Sequence, residues 1–386
     1  MAKFANRVSD IPPFQVMKVL ARAKQLEAQG RDIIHLEVGE PDFGTPAPVL
    51  ACAQQALQDQ LTHYTPALGL SELRSAVASY YQQQYQLEIN PARVVITPGA
   101  SGGLLLVFAL LCNPGENVLM SDPGYPCNRQ FLRLIEAQAQ SVPVDASNGY
   151  QITEALLDQY WLPSSRGVLL ASPSNPTGTL ASRQQLQAIS DGVSKRDGFL
   201  IVDEIYDGLT YDQKPVSILE INKDAYVVNS FSKYFGMTGW RVGWIIAPED
   251  AVPGLEKLVQ NLFIAAPTLA QQAAVAAFEP ECMAILEARK IEFKARRDYL
   301  LPQLQQLGFK IDAPCDGAFY IYANIEKFSN DSEAFCLKLL EEQGIAITPG
   351  IDFGSHNART HVRIAYTQPI KRLKVAVERL RTALAN

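Results

Sequence analysis

Seven short, mostly apolar runs, spaced by enough chain for a helix between them, do most to limit the folds open to this sequence. They are Val94–Thr97, Asn117–Ser121, Gln140–Val144, Gly167–Ser172, Gly198–Asp203, Tyr226–Ser230 and Val242–Ala247. Strands alternating with helices in this way predict an α/β fold with a doubly wound sheet. At 386 residues the chain exceeds one comfortable hydrophobic core, so about two domains are expected. Sheets of this class put their chemistry just beyond the strand ends, and those loops are where functional residues are sought.

The loop after the sixth run is Ser230-Phe-Ser232-Lys233-Tyr-Phe-Gly-Met-Thr-Gly-Trp-Arg241-Val-Gly243. A lysine at a strand exit can act as a nucleophile that forms an imine with a carbonyl compound. The hydroxyls of Ser230 and Ser232, with the planar fork of Arg241, suit a phosphate better than a carboxylate alone. A solvated loop lysine beside a structural arginine would give the same spacing.

Other strand exits carry similar signals. After the first run, Pro98-Gly-Ala100-Ser101-Gly-Gly103 opens an apolar helix over Leu104–Leu111. Free N–H groups and the helix dipole make such a turn an anion site, although small residues there also serve close packing. Asp203 closes an apolar strand, and a carboxylate in that place needs a buried positive partner. Gly39-Glu-Pro-Asp-Phe43 and Pro173-Ser-Asn175-Pro-Thr-Gly178 read locally as turns.

Ser230–Gly243 resembles the Ser-x-Ser-Lys-x-x-x-x-x-Gly-x-Arg-x-Gly signature of the fold-type I, class I/II aminotransferases, which use pyridoxal 5′-phosphate. Every fixed position of that signature is present. The resemblance extends from about Ile33 to Tyr366, through Gly39-Glu-Pro-Asp-Phe, Tyr64-Thr-Pro-Ala-Leu-Gly-Leu-Ser-Glu-Leu-Arg74, Asn175-Pro-Thr-Gly, Asp203-Glu-Ile-Tyr206 and Pro349-Gly-Ile-Asp-Phe-Gly354. It implies a large domain with a seven-stranded, mostly parallel sheet, and a smaller α+β domain built from both chain ends. The matching boundaries are an arm over 1–12, a small domain over 13–44 and 285–386, and a cofactor-binding domain over 45–284.

The resemblance also implies roles. Lys233 would hold the cofactor as an imine and, once freed, move the substrate proton. Asp203 would keep the pyridine nitrogen protonated, while Tyr206 and Asn175 contact the ring oxygen and Tyr125 stacks on the ring. Ala100, Ser101, Ser230, Ser232 and Arg241 would anchor the phosphate. Tyr64 would reach the partner's phosphate across an obligate homodimer with shared active sites. Arg363, Asn175 and the Gly39 N–H would fix the substrate carboxylate. The activity implied is ping-pong transfer of an amino group between an L-amino acid and a 2-oxo acid. C–S lyases of the cystathionine type share these features, as do non-catalytic sensors, although a sensor needs more chain ahead of the fold than the short arm here.

No second cation for a dicarboxylate substrate stands out; Arg129 and Lys18 are the candidates, and both also read as surface charges. Phe14, Tyr64 and Tyr125 would make the far end of the pocket apolar or mixed. A neutral or aromatic donor is therefore expected, with aspartate possible and 2-oxoglutarate or pyruvate as acceptor. A net charge of −6 argues against nucleic-acid binding. The apolar runs are too short to span a bilayer, and the start lacks the apolar core of a signal peptide, so a cytoplasmic enzyme is expected. Six scattered cysteines and four histidines lack metal-ligand spacing, and no metal is expected.

The remaining expectations are local. Helices are expected over Phe14–Gln29, Pro48–Gln60, Leu255–Ala277, Cys282–Gln306, Ser332–Gly344 and Pro369–Ala385. Further strands are expected over Ile33–Val38, Phe309–Ala313, Ala318–Tyr322, Ile345–Thr348 and His361–Tyr366.

Overall fold

The computed structural model describes residues 4–385. The first three residues of the expected arm, and Asn386 at the end of the expected small domain, lie outside the described residues. The strands in chain order are β1 (Ile34–His35), β2 (Val94–Thr97), β3 (Asn117–Asp122), β4 (Gln138–Pro143), β5 (Ser165–Ala171) and β6 (Phe199–Asp203). They continue with β7 (Tyr226–Ser230), β8 (Gly243–Ile246), β9 (Tyr320–Asn324), β10 (Ile345–Ala346), β11 (Thr348–Pro349) and β12 (His361–Ala365).

Seven strands, β2 to β8, form one sheet in the order β2-β8-β7-β6-β5-β3-β4. Every pairing is parallel except those of β8, which runs antiparallel to both β2 and β7. All seven strands expected from the sequence are present. The alternation of side chains builds two cores from one sheet. Ile245 of β8 joins Val95, Val228 and helix residues Leu104, Val107 and Leu255 on one face. Its neighbours Trp244 and Ile246 join Val94, Ile96 and Val227 on the other. Gly103 lets the helix Gly99–Leu111 lie close on the sheet, because a Cβ there would come within 3.2 Å of Val228 and 3.3 Å of Ile245.

The chain ends meet beyond this sheet. β1 pairs in parallel with β10, and β11-β12-β9 form a three-stranded antiparallel sheet. Helices Gln15–Ala28, Ser332–Gln343 and Ile370–Leu384 accompany them, and the 28-residue helix Pro280–Leu307 leads in from the large sheet.

Several local expectations need correction. The helix expected over Leu255–Ala277 is two helices, Val252–Leu262 and Thr268–Val275: the chain leaves the first at Ile264, whose φ of 67° is left-handed, and Pro267 caps the second. Phe309–Ala313 is not a strand; only Lys310 bridges to Asn324. The strand expected over Ala318–Tyr322 begins two residues later, at Tyr320, with Ala318 at a left-handed φ of 57°. Ile345–Thr348 divides between two sheets, and the Ile33–Val38 strand shrinks to the two residues that pair with β10. Within the expected arm, Asn6–Asp10 forms a short helix with no buried residue.

Candidate active site

The exits of β2, β3, β5, β6 and β7 share one rim of the large sheet. Because β8 runs the other way, its beginning joins that rim and carries Arg241 there. A cavity of about 220 Å³ opens at this rim, and twelve of the thirteen residues singled out from the sequence line it. The exception is Tyr64, which is 82% exposed and lies outside the lining.

One end of the cavity is built from N–H and O–H groups and a cation. Ser230 Oγ donates to Ser232 Oγ at 2.9 Å and holds the loop through the Ser232 N–H at 3.1 Å. Arg241, at a left-handed φ of 54°, turns its guanidinium toward the start of the helix Gly99–Leu111. Gly99 is required there: a Cβ would lie 2.6 Å from Arg241 Nη2. Ala100 and Ser101 occupy the first turn of that helix, where backbone N–H groups have no helical acceptor. Two hydroxyls, a helix N-terminus and a guanidinium converge, which suits a phosphate.

Lys233 and Asp203 occupy the middle. The Lys233 ammonium donates to the Gly39 carbonyl. Its pKa is pushed down to about 8, mainly by burial and then by the positive charge of Arg363, with Glu40 opposing. Asp203 accepts the Ile205 N–H at 3.1 Å. Burial pushes its pKa up to about 7, against the pull of that N–H and of Lys233. Behind it lie two more buried acids. Glu204 accepts from Ser217 and the Ile218 N–H, and Asp207 accepts from Tyr85 at 2.6 Å.

Arg363, from β12, closes the other end. Its Nη1 donates to Asn175 Oδ1 at 2.9 Å and its Nη2 to the Glu37 carbonyl at 2.5 Å, while the buried Nε has no partner. The guanidinium lies between two rings, 4.3 Å from the centroid of Tyr320 and 4.8 Å from that of Phe353. A buried guanidinium with an unspent donor, facing a cavity, is a seat for a carboxylate. The side walls are apolar: Phe14, Val16, Val38, Leu104 and Ile205. Asp352 fixes the first of these walls by accepting the N–H groups of Gln15 at 2.8 Å and Val16 at 3.2 Å. Tyr125 meets Phe14 edge to face at 6.3 Å, and its loop is held by Gly124 N–H donating to the Phe353 carbonyl. Arg129 is occupied elsewhere, by the Phe353 carbonyl at 3.2 Å and Asp122 at 3.7 Å, and neither it nor Lys18 lines the cavity.

Sequence reasoning missed Tyr320. This buried residue lines the cavity, stacks on Arg363 and meets the Tyr206 hydroxyl at 2.7 Å. A signal lay in Gly317-Ala-Phe-Tyr320, an aromatic pair opening a strand, but its function depends on partners far away in sequence.

Comparison with known proteins assigns the chain to a family. The profile of the family described as aminotransferase class I and II matches residues 31–380. The chain belongs to that family. It is 40% identical to a valine–pyruvate aminotransferase of Mycobacterium tuberculosis over 96% of both chains. It is 35% identical to the (5-formylfuran-3-yl)methyl phosphate transaminase of Methanocaldococcus jannaschii, over 98% of this chain and 99% of that one. Among solved structures, an aminotransferase from Mycobacterium tuberculosis superposes with a TM-score of 0.96 at 40% identity, covering all of both chains. Aspartate aminotransferase from Thermus thermophilus, solved with maleate, gives 0.93 at 30% identity, over 99% of this chain and 100% of that one. This class I/II family member is therefore an enzyme, a transferase of amino groups. These relatives carry transaminase names, and none of them supports the lyase alternative.

Proposed function

We propose that the cavity holds pyridoxal 5′-phosphate and that the enzyme moves an amino group from a neutral L-amino acid to a 2-oxo acid by a ping-pong mechanism. The observation that carries this reading is the shared cavity of Lys233, Asp203 and the Arg363–Asn175 pair, with a phosphate-shaped set of donors at its far end. The donor set fits the cofactor. Ser230, Ser232, Arg241 and the Ala100 and Ser101 N–H groups would hold its phosphate, Asp203 its ring nitrogen, and Tyr206 and Asn175 its ring oxygen, while Tyr125 covers its face. When bound, the cofactor supplies an aldehyde for the amino group and a ring that accepts electron density from the substrate Cα.

The protein's own contributions follow from its residues. Arg363, Asn175 and the Gly39 N–H bind the substrate carboxylate and so orient the Cα–H bond toward Lys233. With its pKa lowered to about 8, Lys233 exchanges a proton close to working pH, so it can take the Cα proton and return it as acid. Asp203, ionised, would hold a proton on the cofactor's ring nitrogen. Apolar walls exclude water from the transfer.

The same walls set the substrate class. Among the described residues the cations lining the cavity are Lys233, Arg241 and Arg363, each already committed to a role. None remains for a second carboxylate, which supports a neutral donor, aliphatic or aromatic, with pyruvate or 2-oxoglutarate as acceptor. The valine–pyruvate relative points the same way. We further infer a homodimer in which Tyr64 enters the partner's site. Leu50, Leu57 and Leu61 are also exposed, and two of them are seven residues apart on the helix Ala47–Gln58. The domain division at 45–284 is proposed as well, with Pro280–Leu307 as the helix that crosses its boundary. Six free cysteines suit the cytoplasm; among the described residues no helix is long and apolar enough to cross a membrane.

The test mixes purified holoenzyme with single amino acids and no acceptor, following absorbance and products. One 2-oxo acid released per site, with loss of the yellow form, supports transamination, and the order of donors gives the substrate class. Aspartate preferred over valine, alanine and phenylalanine by orders of magnitude in kcat/KM would overturn the neutral-donor reading. Continuous release of pyruvate and ammonia would indicate a lyase. Full turnover by Lys233→Ala would overturn the role of Lys233.

A further inference from the structure

Two phenols meet in the wall of the cavity. Tyr206, just beyond β6, and Tyr320, the first residue of β9, bring their hydroxyl oxygens to 2.7 Å, and both side chains are buried. Neither hydroxyl has another partner among the described residues. Tyr320 is fixed on three sides. Its backbone pairs with Ala365 in β12, its ring lies 4.3 Å from the Arg363 guanidinium, and its oxygen lies against Gly39. The last contact is so close that a Cβ on Gly39 would fall 1.8 Å from it. Tyr320 cannot swing away from Tyr206 without disturbing the carboxylate seat.

Each phenol owns one proton, and the short contact between the oxygens uses one of the two. If Tyr206 donates, the Tyr320 proton is left against Gly39 with no acceptor among the described residues. If Tyr320 donates, the Tyr206 proton is free to serve a ligand in the cavity. We propose that Tyr320 is a positioning residue that donates its hydroxyl proton to Tyr206, turning the Tyr206 proton onto the ring oxygen of the bound cofactor. The proposal rests on the functional reading above. Two O–H groups in series polarise one another, so the second becomes the stronger donor. Burial raises the pKa of both phenols, so both protons remain in place at working pH. Tyr320 thus connects the two ends of the site, stacking on the group that seats the substrate carboxylate and donating to the group that faces the cofactor.

The test is a spectroscopic pH titration of purified holoenzyme without substrate, comparing wild type with Tyr320→Phe. Losing the Tyr320 donor weakens the bond from Tyr206 to the ring oxygen. More negative charge stays on that oxygen, and the proton shared near it is held more tightly. The midpoint of the absorbance change should rise by ~0.4–1 pH unit, the equivalent of one ordinary hydrogen bond. Equilibrium dialysis of the apoprotein should show cofactor affinity reduced ~2- to 10-fold. Because Tyr320 acts through Tyr206, adding Tyr320→Phe to Tyr206→Phe should shift the midpoint no further. A midpoint unchanged within about 0.1 pH unit in a coloured, normally melting Tyr320→Phe protein would overturn the proposal. So would a double variant whose shift equals the two single shifts combined. A wild-type protein that stays colourless with the cofactor overturns the functional reading and this proposal with it; a coloured protein whose midpoint does not move overturns this proposal alone.

Discussion

Replacing Asp203 by Asn should stabilise the ligand-free protein while disabling it as an enzyme. Burial raises the Asp203 pKa from 3.8 to about 7. Between those values the folded chain holds a proton that the unfolded chain has released, so folded stability falls as pH rises. The stabilising contribution is fully present below pH 3.8 and is lost by the time pH passes 7. A rise of roughly three pH units at ~1.36 kcal/mol each gives a loss of ~4 kcal/mol at pH 8. The Asp203→Asn variant would escape that loss, since an amide does not titrate and its oxygen can still accept the Ile205 N–H. Glu204 and Asp207 remain in both proteins, so the difference reports Asp203 together with its coupling to Asp207. The assay is urea unfolding of the two apoproteins from pH 5 to pH 8. Between pH 5 and 7 the advantage of the Asn variant should widen by ~2.3 kcal/mol, the slope falling off as Asp203 itself begins to ionise. A constant difference across that range would refute the reasoning, because it would mean that Asp203 is ionised in the folded state throughout. With cofactor bound the order reverses: the carboxylate gains its cationic partner, and kcat of the Asn variant should fall by ~10²-fold or more.

Arg363→Lys, which gives up the two-pronged fork and the bonds to Asn175 and the Glu37 carbonyl, should lower kcat/KM by ~10²-fold for donor and acceptor alike; steady-state kinetics with both substrates checks it, and an unchanged value would move the carboxylate seat elsewhere. Gly39→Ala forces a Cβ onto the Tyr320 hydroxyl and should cost ~1–3 kcal/mol in a denaturation assay, whereas a variant as stable as its parent would show that Tyr320 yields freely. Lys233 captures an aldehyde as the neutral amine, so the rate of cofactor uptake by the apoprotein should rise with pH up to about 8 and then level off. A rate that does not change between pH 6 and 9 would contradict the lowered pKa.

Much of this was legible because the chemistry follows strand exits. Asp203 closes an apolar run, and Lys233 and Asn175 follow one within three residues, so finding the strands marked their loops while the family resemblance supplied their roles. Pro267, which caps the second half of an expected helix, is equally visible in the sequence. Tyr320 was not legible. Nothing within ten residues of it says that its hydroxyl meets Tyr206 or that its ring carries Arg363; the second arises from the pairing of β9 with β12, the first from packing of β9 against the exit of β6. Two-residue strands such as β1 and β10 also escape sequence reading, because each is defined by its partner rather than by its own composition. The depth of Glu204 and Asp207 belongs in the same class: their carboxylates are satisfied by Ser217 and Tyr85, supplied from separate elements.

The two ends of the cavity also differ in how far the chain must travel to make them. Ser230, Ser232 and Arg241 come from a single loop, and Arg241 Nη1 bonds the Thr238 carbonyl three residues away. At the carboxylate end, Thr348 reaches the Glu37 carbonyl across 311 positions and Arg363 reaches it across 326. Closing a loop of that length costs ~3 kcal/mol more in chain entropy than closing one of a dozen residues. Contacts at such separation form late in folding. During synthesis, the residues that would grip the phosphate can gather before the C-terminal third has been made. The seat for the amino acid cannot exist until β12 has emerged from the ribosome and returned to the beginning of the chain.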